Sequence, residues 1–143
     1  MKQIWITKAG GPQTLSVREA EDPEEGPGEV LIDVKAAGVN FADVLARMGM
    51  YPDAPPIPCV VGYEVAGTVV NTLGAGQFSP GDRVVALTRF GGYATRLAVP
   101  AQQVFPMPPG MSFAQAAAIP VNYFTAYLAL GRMGNLQPDE TML

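Results

Sequence analysis

The side chains that could do chemistry in this sequence are carboxamides, hydroxyls and carboxylates, because it contains no histidine and one cysteine. Without His it cannot form a Ser-His-Asp triad, a Cys-His pair or a His-ligated metal site. Cys59 cannot form an internal disulfide, and with no basic neighbour it is most simply a small packing residue. Histidine-ligated and Cys-rich metal sites are therefore excluded, and the candidate hydrogen-bond donors of the sequence include the Asn40 amide, the Tyr51 phenol and the Thr125 hydroxyl.

The elements that must position these side chains are mostly short strands. Alternating apolar residues predict about seven of them, separated by turns rich in Gly and Pro. A hairpin turn is predicted at Gly91-Gly92, between the fifth and sixth strands. Gly62 and Gly67 lie inside the fourth strand, where they indicate bulges or close backbone approach. The predicted strands are 2–8, 15–19, 29–37, 60–73, 82–87, 93–99 and 104–107.

Helical spacing replaces alternation in two places. Phe41, Val44, Leu45 and Met48 recur on one helical face after Asn40, so a short helix begins where the third strand ends. Near the end of the sequence, Ser112-Phe-Ala-Gln115 matches a capping box, Pro120 suits the first turn of a helix over 121–132, and Gly134 is its expected C-cap. An apolar run at 141–143 predicts the start of another strand.

The bulk composition narrows the class of protein. A length of 143 residues fits one domain, and a net charge of −4 argues against nucleic acid as a partner. No apolar run approaches the length of a membrane span, and the N-terminus lacks the apolar region of a signal peptide. We therefore expect a cytoplasmic protein. Many short strands with Gly and Pro turns predict a barrel or a sandwich.

Five stretches, in order and with matching spacing over almost the whole chain, resemble the GroES-like catalytic domain of the medium-chain dehydrogenase/reductase superfamily. Within it they are most similar to the zinc-independent quinone oxidoreductases of the zeta-crystallin type and to the vesicle amine transport protein-like group. The stretches are Ala36-Ala-Gly-Val-Asn-Phe-Ala-Asp43 with Arg47, Gly49 and Tyr51; Gly62-Tyr-Glu-Val-Ala-Gly67; Gly81-Asp-Arg-Val84; Gly92-Tyr-Ala94; and Ala116-Ala-Ala with Asn122-Tyr-Phe-Thr-Ala-Tyr127.

This resemblance implies a mainly β (α+β) fold, a partly open GroES-like barrel with short helices. Residues 1–120 would form the substrate domain, and 121–143 a linker helix leading to a Rossmann domain absent from this sequence. The implied function is the substrate-binding half of an NADPH-dependent enzyme that reduces quinones or enones by hydride transfer. We expect no activity from the fragment alone, and a homodimer when full length.

The resemblance also implies a site without zinc. Asn40 stands where zinc-dependent members have a cysteine ligand, and Tyr63 where they have a histidine; an amide and a phenol are poor substitutes for those ligands. By resemblance, Asn40, Tyr51 and Asp43 line the nicotinamide–substrate cleft as catalytic residues. The predicted cofactor-binding residues are Asn40, Phe41, Asp43, Asn122 and Thr125.

Each of these residues has a structural alternative. Asn40 could be the N-cap of the helix. Asp43 could stabilise the first turn of that helix, and it could form an ion pair with Arg47, one turn later. Tyr51 could pack on the surface. Glu64 favours a structural role, since there is no zinc charge for it to balance. Asn122 could be a helix-start residue. The Thr125 hydroxyl could form a hydrogen bond to the backbone of its own helix.

Two other functions stay open at this stage. A non-catalytic binding or scaffold protein could use the same fold, and a glycine fingerprint missing downstream would favour it. An unrelated all-β binding module fits the composition but not the ordered motifs. The chain contains no Gly-x-Gly-x-x-Gly phosphate-binding fingerprint of its own.

Overall fold

The computed structural model describes residues 1–74 and 76–142. These residues form seven strands: β1 Lys2–Ile6, β2 Leu15–Glu19, β3 Glu29–Ala37, β4 Glu64–Leu73, β5 Arg83–Leu87, β6 Arg96–Pro100 and β7 Val104–Pro106. Five of them make an antiparallel sheet in the order β6-β3-β4-β5-β7, and a separate hairpin pairs β1 with β2. Neither sheet closes on itself. A mainly β fold with seven strands is what the sequence predicts.

Short helices connect and flank the sheet. α1 is Phe41–Arg47, α2 is Phe113–Ala117 and α3 is Pro120–Tyr127. The Ser112 capping box is confirmed, since the Gln115 amide donates to Ser112 Oγ and the Ser112 amide to Gln115 Oε1. Among the described residues, no helix is both long and apolar enough to cross a membrane.

The buried hydrophobic residues form three clusters, each between different elements of the fold. The largest lies on one face of the five-stranded sheet and includes Val30, Ile32, Val65 and Val84, all fully buried. A second packs α2 against β4 and β5. The third joins β1 to α1 through Ile6, Ala46, Cys59 and Val61. This third cluster fixes α1, and with it Asn40, against the edge of the barrel.

The predicted hairpin at Gly91-Gly92 is wrong. β5 pairs with β4 and β7, whereas β6 pairs with β3 across the sheet. The connecting segment instead bonds to an earlier loop: the Gly92 amide donates to the Gly62 carbonyl at 3.1 Å and the Tyr93 amide to that of Val61 at 3.0 Å. These long-range bonds carry the chain over to the other side of the sheet.

The fourth strand begins later than predicted, at Glu64 rather than residue 60. Gly62 has φ 107°, a conformation that side chains rarely adopt, and a Cβ on it would lie 2.7 Å from the Tyr93 amide nitrogen. The chain therefore turns sharply before β4. Four other predicted strands, 2–8, 82–87, 93–99 and 104–107, differ from the observed ones by up to three residues at an end.

The end of the chain departs from the predicted single helix over 121–132. The α-helical hydrogen bonding of α3 ends at Tyr127, and a π-helical segment, Leu128–Met133, follows it directly. Gly134 takes the C-cap place with a right-handed φ of −79°, and Asn135 adopts the left-handed conformation instead, with φ 48°. Residues 141–142 form no strand, so that prediction fails for them, and residue 143 lies outside the described part.

Candidate functional site

The candidate site is built around Asn40, where β3 has ended and α1 begins. Asn40 has an extended backbone and occupies the N-cap position of α1, as predicted. Its backbone N–H donates to Asp43 Oδ2 at 2.8 Å. Asp43 Oδ1 accepts a second bond, 3.1 Å long, from the Gly62 amide. Asp43 is only 5% exposed, so its carboxylate ties the start of α1 to the loop before β4.

The Asn40 side chain is held by a buried carboxylate. Its Nδ2 donates to Glu64 Oε1 at 2.9 Å, while Glu64 Oε2 accepts from the Val121 amide at 2.8 Å. Glu64 is 1% exposed. Gly38 makes room for it, because a Cβ there would overlap the Glu64 side chain. One carboxylate thus orients the Asn40 carboxamide and fixes the first turn of α3 beside it.

This arrangement leaves part of the Asn40 carboxamide available. One N–H is committed to Glu64, and the side-chain oxygen lies in a capping box with the Asp43 amide, so the second N–H remains for another partner. A donor pre-oriented in this way can stabilise negative charge that develops on a ligand oxygen. Glu64 was expected to be structural, and it is; its direct bond to Asn40 is the part that the sequence did not reveal.

Three aromatic rings form a cluster that includes two of the residues singled out in the sequence, Tyr51 and Tyr63. The Tyr51 and Tyr63 rings meet edge to face with centroids 6.2 Å apart, and Tyr63 packs on Phe90 at 5.5 Å. The surface-packing alternative for Tyr51 is therefore too simple, because its ring is half-buried against Tyr63. Phe90 is a residue of this cluster that the sequence did not indicate, because it belongs to none of the motifs.

Tyr63 has a hydroxyl that is ready to donate. Its Oη is buried and has no hydrogen-bond partner in the described part of the chain. Burial, with smaller effects from Tyr51, Asp43 and Asp53, raises the pKa of Tyr63 to about 12. The phenol is therefore protonated at neutral pH. Tyr63 is not among the donors predicted from the sequence, and the signal that could have indicated it is its place where zinc-dependent members of the superfamily have histidine.

An alkaline titration tests this environment. The folded state binds the Tyr63 proton more tightly than the unfolded chain, so the neutral phenol's contribution to stability is fully present below the ordinary pKa of 10.0 and is lost as pH rises towards about 12. We expect Tyr63→Phe to flatten the fall in the free energy of unfolding over this range, measured by urea unfolding. Tyr127→Phe, at an exposed ring, is the control; equal pH profiles for Tyr63→Phe and the unsubstituted chain would contradict the assignment.

The predicted residues on α3 are exposed. Asn122 donates from Nδ2 to the Ala118 carbonyl at 3.2 Å, which is the helix-start alternative. Thr125 is exposed, and its hydroxyl makes no hydrogen bond with the described residues, so the alternative of a bond back to the helix is not seen. Phe41 is 75% exposed next to Asn40. The structure thus brings Asn40, Asp43 and the start of α3 together.

One expected contact is missing. Arg47 forms no ion pair with Asp43, or with any other carboxylate that the structure describes. The reason is that both Asp43 oxygens already accept backbone N–H groups. The described residues also contain no group of three or more His, Cys, Asp or Glu side chains that could hold a metal ion.

Comparison with known proteins places this geometry in a family. The alcohol dehydrogenase GroES-like domain family matches residues 26–109, which is more than half of the chain. The chain belongs to this family. The partly open barrel predicted from the sequence is therefore confirmed as a GroES-like domain.

Relatives of this GroES-like domain include vesicle proteins and quinone oxidoreductases. The chain is 45% identical over its whole length to the mouse "Synaptic vesicle membrane protein VAT-1 homolog", of which it covers 36%. It is 37% identical over 92% of its length to the mouse "Quinone oxidoreductase-like protein 2", of which it covers 38%. The chain therefore spans little more than a third of the length of these relatives.

Solved structures agree with the sequence relatives. An Escherichia coli quinone oxidoreductase complexed with NADPH matches with a TM-score of 0.89 and 32% identity, over 98% of this chain and 43% of that one. The human VAT-1 homolog-like protein matches with a TM-score of 0.89 and 36% identity, over 96% of this chain and 45% of that one. These likenesses agree with membership of the medium-chain dehydrogenase/reductase superfamily.

Proposed function

We propose that this chain is the substrate-binding half of a zinc-free, NADPH-dependent oxidoreductase that reduces quinones or enones. The observation that carries the proposal is the Asn40 carboxamide, held by buried Glu64 at 2.9 Å beside the first turn of α3. Family membership and the NADPH complex of the Escherichia coli relative support it. Residues 1–120 would form the substrate domain, and 121–143 would lead into the cofactor domain.

The residues present suit a nicotinamide ring at this place. A nicotinamide carries a carboxamide that needs hydrogen-bond partners, and the exposed side chains of Asn122 and Thr125 supply them on α3. Asn40 and Phe41 would contact the ring from α1. When bound, NADPH supplies the hydride. The chain's own task is to orient the acceptor against the ring and to exclude water.

The acceptor oxygen needs donors, and the site contains two. The free N–H of Asn40 and the protonated hydroxyl of Tyr63 would stabilise the oxyanion that forms when the substrate is reduced. Tyr51 would extend the aromatic wall on which a flat quinone could stack. Asp43 would act chiefly as a positioning residue, because both of its oxygens hold backbone N–H groups; its direct contact with cofactor stays a prediction.

The donor set argues for chemistry without zinc. Zinc in proteins is held by thiolate, imidazole or carboxylate groups, whereas Asn40 and Tyr63 offer an amide and a phenol at the two positions where zinc-dependent members have ligands. Hydrogen-bond donors would therefore do the work that a metal does elsewhere in the superfamily.

The test is an assay of the full-length protein after dialysis against a strong chelator. We expect NADPH-dependent reduction of a naphthoquinone to persist, and the 143-residue chain alone to show no turnover. Activity that disappears on dialysis and returns only with zinc would overturn the proposal. Tight NADPH binding with no turnover of any quinone or enone would instead favour the scaffold alternative, for which the likeness to vesicle proteins is the reason.

A cytoplasmic location and a homodimer complete the proposal. Both come from the family resemblance and the composition. Fractionation of cells that express the full-length protein, and light scattering of the purified protein, would test them. Recovery in a membrane fraction, or a monomer mass, would contradict the respective part.

A further inference from the structure

A separate cavity lies between β1, the turn that precedes β2, and α1. Its volume is about 410 Å³, within the range of sites that bind small molecules. Of the residues that form the candidate site, Asp43 lines this cavity, whereas Asn40 and Glu64 do not. Most of the lining is apolar, and it includes Ile4, Ile6, Leu15, Val44 and Val61.

Arg47 places a positive charge in this apolar wall. Its guanidinium makes no ion pair within the described part of the chain, and its Nη1 is buried without a hydrogen-bond partner there. A buried donor without a partner is costly, and a charged one more so. The cavity therefore contains a donor whose cost of burial no described residue offsets, which is a reason to look for a ligand.

Tyr93 adds a second donor to the same cavity. Its hydroxyl is also buried without a hydrogen-bond partner in the described residues. Burial, and next the charge of the Asp43 carboxylate and its closeness to the hydroxyl, raise the pKa of Tyr93, so the group is a neutral O–H donor. Of the three buried side-chain atoms left without partners in the described residues, two thus line one cavity.

Asp43 is the remaining polar residue of the lining and the only acidic one. Its oxygens accept the Asn40 and Gly62 amides at 2.8 and 3.1 Å, so two N–H dipoles partly compensate its charge. The remaining charge of Asp43 repels a negatively charged ligand. The positive charge of Arg47 in the same cavity counteracts this repulsion. A ligand with a single negative charge and an apolar body fits these walls and donors best.

We propose that this cavity binds a small apolar monocarboxylate. Its carboxylate would accept hydrogen bonds from Arg47 and Tyr93, and its hydrocarbon part would fill the space among Ile4, Ile6 and Val44. Charge-assisted bonds to a guanidinium are the strongest hydrogen bonds available for such a ligand. The inference does not depend on the proposed reductase function, because no residue of the Asn40–Glu64 pair takes part in it.

The experiment titrates the 143-residue chain with sodium octanoate, followed by calorimetry and by the methyl signals of an NMR spectrum. We expect saturable binding that shifts the methyl signals of Ile4, Ile6 and Val44. Octanol, which has the same chain without the charge, should bind at least tenfold more weakly. Arg47→Met should weaken octanoate binding roughly tenfold to a hundredfold. Arg89→Met, at a side chain that is 74% exposed, should leave it unchanged.

Tyr93→Phe provides a second variant if Arg47→Met does not fold, because it removes only an unpartnered hydroxyl. We expect it to weaken octanoate binding by roughly twofold to tenfold. The proposal is overturned if octanoate does not bind at millimolar concentration, if octanol binds equally well, or if the shifted signals lie outside the cavity. It is also overturned if Arg47→Met and Tyr93→Phe both bind octanoate as the unsubstituted chain does.

Discussion

Glu64→Gln is expected to lower the free energy of unfolding by about 2 kcal/mol, although the side chain keeps its size. Glu64 accepts one bond from Asn40 Nδ2 at 2.9 Å and one from the Val121 amide at 2.8 Å. Glutamine has one acceptor and one NH₂ group, so in either orientation its NH₂ faces a donor that the carboxylate had satisfied. Urea unfolding of the chain measures the effect.

The same substitution should change what Asn40 presents to a ligand. If the glutamine oxygen keeps the Val121 amide, its NH₂ turns to Asn40, whose carboxamide must then flip to offer its oxygen. The NH₂ and the oxygen of Asn40 would exchange places, so the donor would no longer lie at the position that it has in the unsubstituted chain. In the full-length protein we therefore expect kcat to fall much more than NADPH affinity.

A matched control separates charge from position. Glu19→Gln, at an exposed residue of β2, should change the free energy of unfolding by less than about 0.5 kcal/mol. If Glu64→Gln were as stable as Glu19→Gln, the buried carboxylate would not be holding Asn40 and α3 together.

Gly67→Ala is expected to destabilise the chain by about 3 kcal/mol or more, a large part of the stability of a typical domain. Gly67 lies in β4, opposite Val34 of β3 and Val84 of β5. A Cβ at this residue would overlap the Asp33 carbonyl oxygen and come within 2.8 Å of Ile32 Cγ2. Because backbone atoms stand in the way, the two strands must separate.

Thermal unfolding measures this prediction, and we expect a midpoint at least about 10 °C lower. Gly131→Ala is the control, since a Cβ there has no heavy atom within 4 Å and φ lies outside the left-handed region. Alanine there should stabilise the chain by roughly 0.5 kcal/mol. Equal midpoints for Gly67→Ala and the unsubstituted chain would show that β3 and β4 do not approach this closely.

The sequence predicts elements whose signals are local. β2 and β3 have the predicted bounds, because the alternation of each is clear and a Pro- and Gly-rich segment, residues 20–28, separates the two. The Ser112 capping box is equally local. By contrast, Gly91-Gly92 predicts a turn but does not determine which strands pair with each other. Its amides bond to Val60 and Gly62, some thirty residues earlier along the chain.

The candidate site follows the same rule. Asn40 and Asp43 can be recognised from the start of a helix, but the partners of Glu64 are 24 and 57 residues away in sequence. Helical spacing favoured an ion pair between Arg47 and Asp43, and it failed because the Gly62 amide reaches Asp43 from another loop. Pairing across the fold, not local propensity, decides which polar groups remain free for a ligand.

The most direct test of the central claim, that the Glu64-held carboxamide of Asn40 supports hydride transfer, is the steady-state rate of naphthoquinone reduction by the full-length Asn40→Ala protein with saturating NADPH. We predict a kcat lower by roughly a hundredfold, the loss seen when one donor to a developing oxyanion is removed, with NADPH affinity changed far less. An Asn40→Ala protein that keeps the unsubstituted kcat would contradict the account.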